Sequence, residues 1–199
     1  MLYRFFPWDT AADASSPGGA LFNPRAQQGG GRHDNPHLYG AVYTSRVEVS
    51  AVAEWLVGFR GQRLAAVDFL RIDGRRWALV GLDDAAPDDA APDDAAPGDA
   101  APGGIVDLDD PLELVARRLR PSRVATRARS TTRQMAEALY SEGIPGFAWW
   151  STLEASWPNV TLFAERALDA LRVAEGPREI GIDDPAVHAA AAAIGVTLS

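Results

Sequence analysis

A run of glycines stands directly before an arginine in the segment GGGRHDNPHLYGAVYTS, residues 29–45. Gly30 and Gly31 would let a ligand approach the backbone closely, and Arg32 could donate two parallel hydrogen bonds to a phosphate. The segment is not a Walker loop, because no Lys-Ser/Thr follows, and not a Rossmann fingerprint, because it leads into a strand. Taken alone, the pattern favours a flexible loop with a solvated arginine, and a phosphate cradle is the alternative.

Glu54 is an acidic residue without an evident structural reason. The helix predicted after Ser45 is apolar on nearly all sides, and Glu48 is explained by a capping box with Ser45. Glu54 falls on the same side of this helix as Val47 and Ala51. A buried carboxylate requires a cationic or hydrogen-bonding partner, or a cleft. Two interpretations therefore stay open: a structural ion pair with an arginine, or a carboxylate that faces a cleft.

Three further polar or aromatic residues lie at the ends of predicted strands. Tyr43 could stack on a flat ligand, although most aromatic residues in strands belong to the core. Ser151 follows the strand GFAWW, and Asn159 begins the next strand. Strand ends often build sites, but a single serine or asparagine there is more commonly a turn or cap residue.

Metal and classical hydrolase chemistry find no support. His33 and His37 share one loop without a third ligand, and the chain contains no cysteine, so no zinc site is expected. Neither a Ser-His-Asp order nor an HExxH motif is present. We therefore expect a reaction without a bound metal.

The net charge of −8 comes mostly from one low-complexity segment. Residues 83–104 repeat the Asp/Ala/Pro pattern DDAAP and contain seven aspartates; without these, 20 acidic residues face 19 basic ones. Such a composition predicts a disordered acidic insertion within one domain, residues 1–199. A near-neutral remaining surface does not favour nucleic-acid binding through a general basic field. The only feature that supports nucleic-acid binding is an arginine cluster at Arg123, Arg127, Arg129 and Arg133.

The order of apolar patterns predicts an α+β fold of mixed or antiparallel sheets with peripheral helices. Strands are predicted at LYRFFPW, LYGAVYTS, GFAWWST and NVTLFA, and helices after Ser45, after Thr131, at 163–174 and after Asp184. No stretch reaches the length of a membrane span, and no signal peptide is recognisable. We expect a cytoplasmic protein that does not bind membranes.

Two long segments resemble the signature of the RES domain family. GGGRHDNPHLYGAVYTSRVEVSAVAEWL is similar to its first half, in which a Gly-Gly-Arg loop, a strand ending in Tyr and a helical Glu follow one another. QMAEALYSEGIPGFAWWSTLEASWPNVTLF is similar to its second half. The resemblance covers about residues 2–170 without the insertion. It departs from the family at His33, where Trp is common.

The resemblance implies a fold similar to diphtheria-toxin-class ADP-ribosyltransferases and an activity that consumes NAD. Arg32, Glu54 and Ser151 would be the name-giving catalytic residues, with Gly30, Gly31, Tyr43 and Asn159 binding substrate. The implied reaction is cleavage of the nicotinamide–ribose bond, with inorganic phosphate as acceptor. ADP-ribosyl transfer to protein, hydrolysis, and an inactive RES-like binding module are the alternatives. An Xre-like antitoxin is the implied partner, through which alone nucleic acid would be contacted.

Overall fold

The computed structural model describes residues 1–83 and 104–199. The acidic insertion expected at 83–104 therefore lies outside the described residues, apart from its two ends. The strands are β1 (Leu2–Trp8), β2 (Ala41–Ser45), β3 (Arg63–Leu64), β4 (Arg76–Asp83), β5 (Val106–Asp107), β6 (Gly146–Trp150), β7 (Pro158–Phe163), β8 (Arg172–Glu179) and β9 (Thr197–Leu198). The helices are α1 (Glu48–Leu56), α2 (Pro111–Ala116), α3 (Pro121–Val124), α4 (Arg129–Ser141), α5 (Ala164–Ala167) and α6 (Pro185–Ile194).

One large mixed sheet organises the fold. Its strand order is β5-β6-β7-β2-β1-β4-β8, and every neighbouring pair is antiparallel except β5 and β6. The short strands β3 and β9 form a separate parallel pair. The helices lie around the large sheet, so the predicted α+β class is confirmed.

Alternation along the central strands sorts side chains onto two faces. Directly paired residues share a face, and the pairs Trp149 with Asn159, Tyr43 with Thr161 and Phe5 with Leu79 fix the register. The face that carries these residues is called the cleft face below. The opposite face is apolar and buried, and its residues include Leu2, Phe6, Val42, Ala78, Val80, Ala148, Val160 and Leu162.

Two groups of helices cover the cleft face at its two ends. Helices α2, α3 and α4 pack around Phe147 and Trp149 of β6. Helices α1 and α6 pack together over Leu79 of β4. The middle of the sheet, between these two apolar clusters, is where a cleft remains open.

The helix starts follow local capping chemistry, with one exception. Asp184 accepts a hydrogen bond from the amide of Ala186 at the start of α6, and Pro185 occupies the first helical position. At α1 the expected capping box is wrong, because the helix begins at Glu48 and its carboxylate instead pairs with Arg178.

The helix expected at 163–174 is also shorter than predicted. Only Ala164–Ala167 is α-helical, and the chain continues into β8 from Arg172. Strand β8 lies at the edge of the sheet, and most of its side chains are exposed. Because neither face of this strand is buried, its sequence does not need to alternate between apolar and polar residues. In residues 1–83 and 104–199, no helix has the length and apolar character needed to cross a bilayer.

Candidate active site

A cleft of about 410 Å³ opens on the cleft face between the two helical groups. Six of the seven residues predicted from the sequence line it: Gly30, Gly31, Arg32, Tyr43, Glu54 and Asn159. The seventh, Ser151, is only 2% exposed and lies behind Glu54. Residues separated by more than a hundred positions in the chain are thus brought together.

Glu54 is held by two buried donors while its side chain remains exposed to the cleft. Its Oε1 atom accepts hydrogen bonds from Ser151 Oγ at 2.8 Å and from Asn159 Nδ2 at 2.9 Å. Ser50 Oγ donates to Asn159 Oδ1 at 2.7 Å, which orients the amide nitrogen towards Glu54. In the described part of the chain Glu54 forms no ion pair. Of the two interpretations left open, the structure therefore supports the second, in which the Glu54 carboxylate faces a cleft.

Ser151 combines a turn role with its contact to Glu54. Its amide donates to the carbonyl of Trp157 at 2.9 Å, which extends the β6–β7 hairpin, and its Oγ accepts from the amide of Leu153 at 3.1 Å. The hydroxyl proton is therefore free to be donated to Glu54. The turn therefore holds Ser151 Oγ in place, and this hydroxyl group positions the Glu54 carboxylate.

Arg32 is anchored from two sides. Its guanidinium carbon lies 4.3 Å from the centre of the Trp149 ring, and its Nη2 donates to the carbonyl of Thr126 at 2.6 Å. Burial lowers the pKa of Arg32, and the charge of Glu54 opposes this. The buried Nε has no partner among the described residues. Arg32 thus has a fixed position and only part of its donor fork free for a ligand.

The glycine loop is tied to the body of the protein by Asp34 and Arg133. Asp34 Oδ2 accepts from the amides of Gly29 at 2.8 Å and Gly31 at 2.6 Å. Arg133 donates to the carbonyls of the same two glycines. The interpretation as a flexible loop is therefore wrong. The amides of Gly29 and Gly31 both donate to Asp34. Of the three glycine amides, only that of Gly30 makes no hydrogen bond within residues 1–83 and 104–199 and can bind a ligand.

Close packing explains one of the glycines. A Cβ atom on Gly31 would overlap the Tyr43 hydroxyl and lie 2.5 Å from Asp34 Oδ1, whereas a Cβ on Gly30 would meet nothing within 4 Å. The groups that lie close to the backbone at Gly31 are thus Tyr43 and Asp34 of the protein itself, not a ligand. This is a different reason for the glycine from the one that the sequence suggested.

Tyr43 contributes its ring to the cleft and its hydroxyl to the loop. The hydroxyl accepts from the amide of His33 at 2.9 Å and donates to Asp34 Oδ1 at 2.7 Å. Burial and the neighbouring Asp34 raise the pKa of Tyr43, so it stays protonated. Stacking of this ring on a flat ligand remains a prediction.

His33, which the sequence analysis considered only as a metal ligand and as a departure from the family, has a structural role in the fold. Its ring is fully buried, with Nδ1 2.8 Å from Thr161 Oγ1 and with ring edges against Phe147 and Trp149. Desolvation and the charge of Arg32 hold the pKa of His33 well below its ordinary value of 6.5. A neutral histidine therefore supports the Trp149 ring on which Arg32 lies. The one available signal was the alternation that puts Thr161 on the face of Asn159.

Metal-binding geometry is missing from the described ranges. No group of three or more His, Asp or Glu side chains within residues 1–83 and 104–199 is placed to hold a metal ion. His37, which shares the loop of His33, is exposed.

Comparison with known proteins assigns the fold and the family signature. The sequence profile of the RES domain matches residues 2–184. The solved M. tuberculosis MbcT-MbcA toxin-antitoxin complex contains a chain of similar fold, with a TM-score of 0.57 and 15% sequence identity over 90% of this chain and 83% of that chain. Among curated proteins no sequence matches.

Proposed function

The chain belongs to the RES domain family, and from this premise we propose that it cleaves the bond between nicotinamide and ribose in NAD, with inorganic phosphate as the acceptor. One observation carries the proposal: Glu54 projects into the cleft while two buried side chains bind the same oxygen, Oε1. Its other oxygen has no partner among the described residues and is free to meet a substrate.

The proposed reaction uses this carboxylate as an electrostatic group. The bond from ribose C1′ to the pyridinium nitrogen breaks, its electron pair goes to that nitrogen, and neutral nicotinamide leaves. Positive charge then develops on the ribose, which the negative charge of Glu54 stabilises. A phosphate oxygen forms the new bond to C1′, and the products are nicotinamide and ADP-ribose 1″-phosphate.

The remaining predicted site residues have supporting parts in this proposal. Ser151 and Asn159 position Glu54 and do not themselves contact the reacting bond. Arg32, fixed on Trp149 and lining the cleft, supplies positive charge close to Glu54 for the attacking phosphate or the substrate. Gly30 offers its amide to the same anionic groups, and Tyr43 contributes its ring to the wall of the cleft.

An antitoxin is the proposed protein partner. The similar fold was solved in a toxin-antitoxin complex, and this likeness supports a second protein for the present chain. We propose that this partner is of the Xre type and that it blocks access of NAD to the cleft. The cytoplasm, where NAD and such a partner would be encountered, is the proposed location.

The test measures nicotinamide release from NAD by the purified chain, with and without phosphate. We expect phosphate-dependent release and a loss of at least about 100-fold in Glu54→Gln, because the stabilising charge is removed. Glu137→Gln, at an exposed position of α4, is the matched control and keeps full activity. Absence of release by the wild type, or equal release by Glu54→Gln, would contradict the proposal.

The acceptor is read from the same reaction. Release without phosphate would indicate a hydrolase, and transfer of labelled ADP-ribose to protein would indicate an ADP-ribosyltransferase. Binding of NAD without release would indicate an inactive binding module. Each of these outcomes rejects phosphate as the acceptor.

A further inference from the structure

The arginine cluster of the sequence separates into different positions in the fold. Arg133 donates to the carbonyls of the glycine loop. Arg123 and Arg127 are exposed outside the cleft. Arg129, the first residue of α4, is exposed and lines the cleft. The cluster is therefore not one basic surface, and one of its members points to a different role.

The charges of the cleft are unevenly engaged. Its lining contains two cations, Arg32 and Arg129, and one carboxylate, Glu54. Arg32 already donates to the carbonyls of Val124 and Thr126 and lies on Trp149. The side chain of Arg129 makes no hydrogen bond or ion pair within residues 1–83 and 104–199. Arg129 is thus the lining cation whose whole donor fork is available.

The two cations also differ in their surroundings: Arg32 is half-buried, whereas Arg129 is exposed. Arg32 is close enough to Glu54 for the carboxylate to act on its pKa. The reacting C1′ carbon must lie near Glu54, so Arg32 belongs to the reacting end. In a dinucleotide the diphosphate is separated from C1′ by the ribose ring and C5′, and it requires a cation placed farther away. The exposed Arg129 of the cleft lining is available for this role, since its planar fork matches two phosphate oxygens.

We propose that Arg129 binds the diphosphate of the dinucleotide substrate and thereby gives the cleft its preference for NAD over nicotinamide riboside, which carries no phosphate. The proposal rests on the proposed function, which supplies NAD as the substrate. It assigns Arg129 to substrate binding and Arg32 to the reacting end, so that loss of Arg129 acts on KM and leaves kcat nearly unchanged.

The kinetic test compares Arg129→Ala with Arg127→Ala, an exposed arginine two residues away that does not line the cleft. We expect Arg129→Ala to raise the KM for NAD about tenfold, the usual order for a charge-assisted contact to phosphate. The kcat, the KM for inorganic phosphate and the kcat/KM for nicotinamide riboside stay the same. Arg127→Ala matches the wild type throughout.

A binding test does not depend on turnover. Calorimetric titration with ADP-ribose, which has the diphosphate but no nicotinamide, is expected to show about tenfold weaker binding to Arg129→Ala. Arg129→Lys keeps the positive charge but loses the planar donor fork, so its affinity for ADP-ribose is expected to lie between those of the wild type and Arg129→Ala. Circular dichroism melting identifies any variant that fails to fold, and Arg129→Gln then replaces Arg129→Ala.

The outcomes separate the two proposals. If the wild type releases no nicotinamide, the proposed function fails, while the titration still decides on Arg129. Unchanged ADP-ribose affinity in Arg129→Ala would overturn the inference. An equal effect of Arg127→Ala, or an effect confined to the KM for phosphate, would overturn it as well, because the first indicates a general field and the second an acceptor site.

Discussion

At the scale of single residues, the site depends on buried polar groups, and the Asn159 amide is the clearest case. Asn159 is 1% exposed, and each end of its amide has a defined partner, Ser50 on one side and Glu54 on the other. Leaving such a group without a partner costs about 1–3 kcal/mol. We therefore expect a substitution of Asn159 to lower both activity and stability, whereas a substitution of the exposed Arg129 should leave stability unchanged.

His33 makes stability depend on pH in a defined direction. Its folded-state pKa lies well below 6.5 because of burial and Arg32, so below pH 6.5 the unfolded chain binds a proton that the folded chain excludes. The free energy of unfolding should therefore fall as the pH drops from 7 to 5, by up to about 1.4 kcal/mol per pH unit from this residue. Urea denaturation at several pH values measures the slope.

The control for this prediction is a neutral replacement. His33→Asn removes the titrating group and should flatten the slope, although it also lowers stability at pH 7. His37→Asn, at an exposed histidine of the same loop, should keep the wild-type slope. An unchanged slope in His33→Asn would show that other groups cause the dependence.

At the scale of elements, the glycine loop and strand β2 act as one unit joined by Asp34 and Tyr43. Gly31→Ala should lower the free energy of unfolding by about 1–3 kcal/mol and strongly reduce activity, because the new methyl group would overlap the Tyr43 hydroxyl. Gly30→Ala should be nearly neutral for stability, since nothing lies within 4 Å of its Cβ position. Chemical denaturation of the two variants checks the difference.

Equal destabilisation by both substitutions would contradict the packing explanation. It would indicate instead that the loop responds to any loss of glycine flexibility. The pair is well matched, because the two positions are adjacent and the chemical change is identical.

The sequence predicted those elements whose side chains alternate or whose caps are local. Strands β1, β2, β6 and β7 follow apolar patterns, and α6 begins at the predicted Asp184 and Pro185. Residues 172–177 of strand β8 were not predicted as a strand, because backbone pairing at an exposed edge requires no apolar alternation. The cap of α1 was mispredicted because Glu48 finds Arg178, a partner 130 residues away.

The candidate site was predictable only in part, for the same reason. The resemblance to the RES signature identified the seven residues that the fold brings together. It did not identify Asp34, whose carboxylate occupies the loop amides expected to meet phosphate. Nor did it identify Arg129, since a run of arginines does not reveal which of them faces a cleft.

At the scale of the whole molecule, the cleft lies between two apolar clusters that share one sheet. A ligand that contacts both sides should therefore stabilise the molecule as one unit. With NAD at 100 times its Kd, the inactive variant Glu54→Gln gains about 2.7 kcal/mol, which corresponds to a rise in Tm of about 5–10 °C. Scanning calorimetry should show one transition that shifts with the logarithm of the NAD concentration.

The matching control is Glu54→Gln without ligand across the same buffer series. A Tm that does not move, or two transitions of which only one moves, would contradict the view that the cleft couples both clusters. Glu54→Gln is chosen because, under the proposed function, it should leave NAD intact during the scan.

The two-residue alternation of the central strands has a consequence for quality control of this chain. A slip of β7 by one position against its neighbours would turn Asn159 into the apolar face and bring Val160 into the cleft. The same error that disrupts the hydrophobic face thus removes the group that orients Glu54. A mispaired molecule is therefore expected to be both unstable and without activity. The specific activity of a preparation should accordingly also report the fraction of molecules in which the strands are correctly paired.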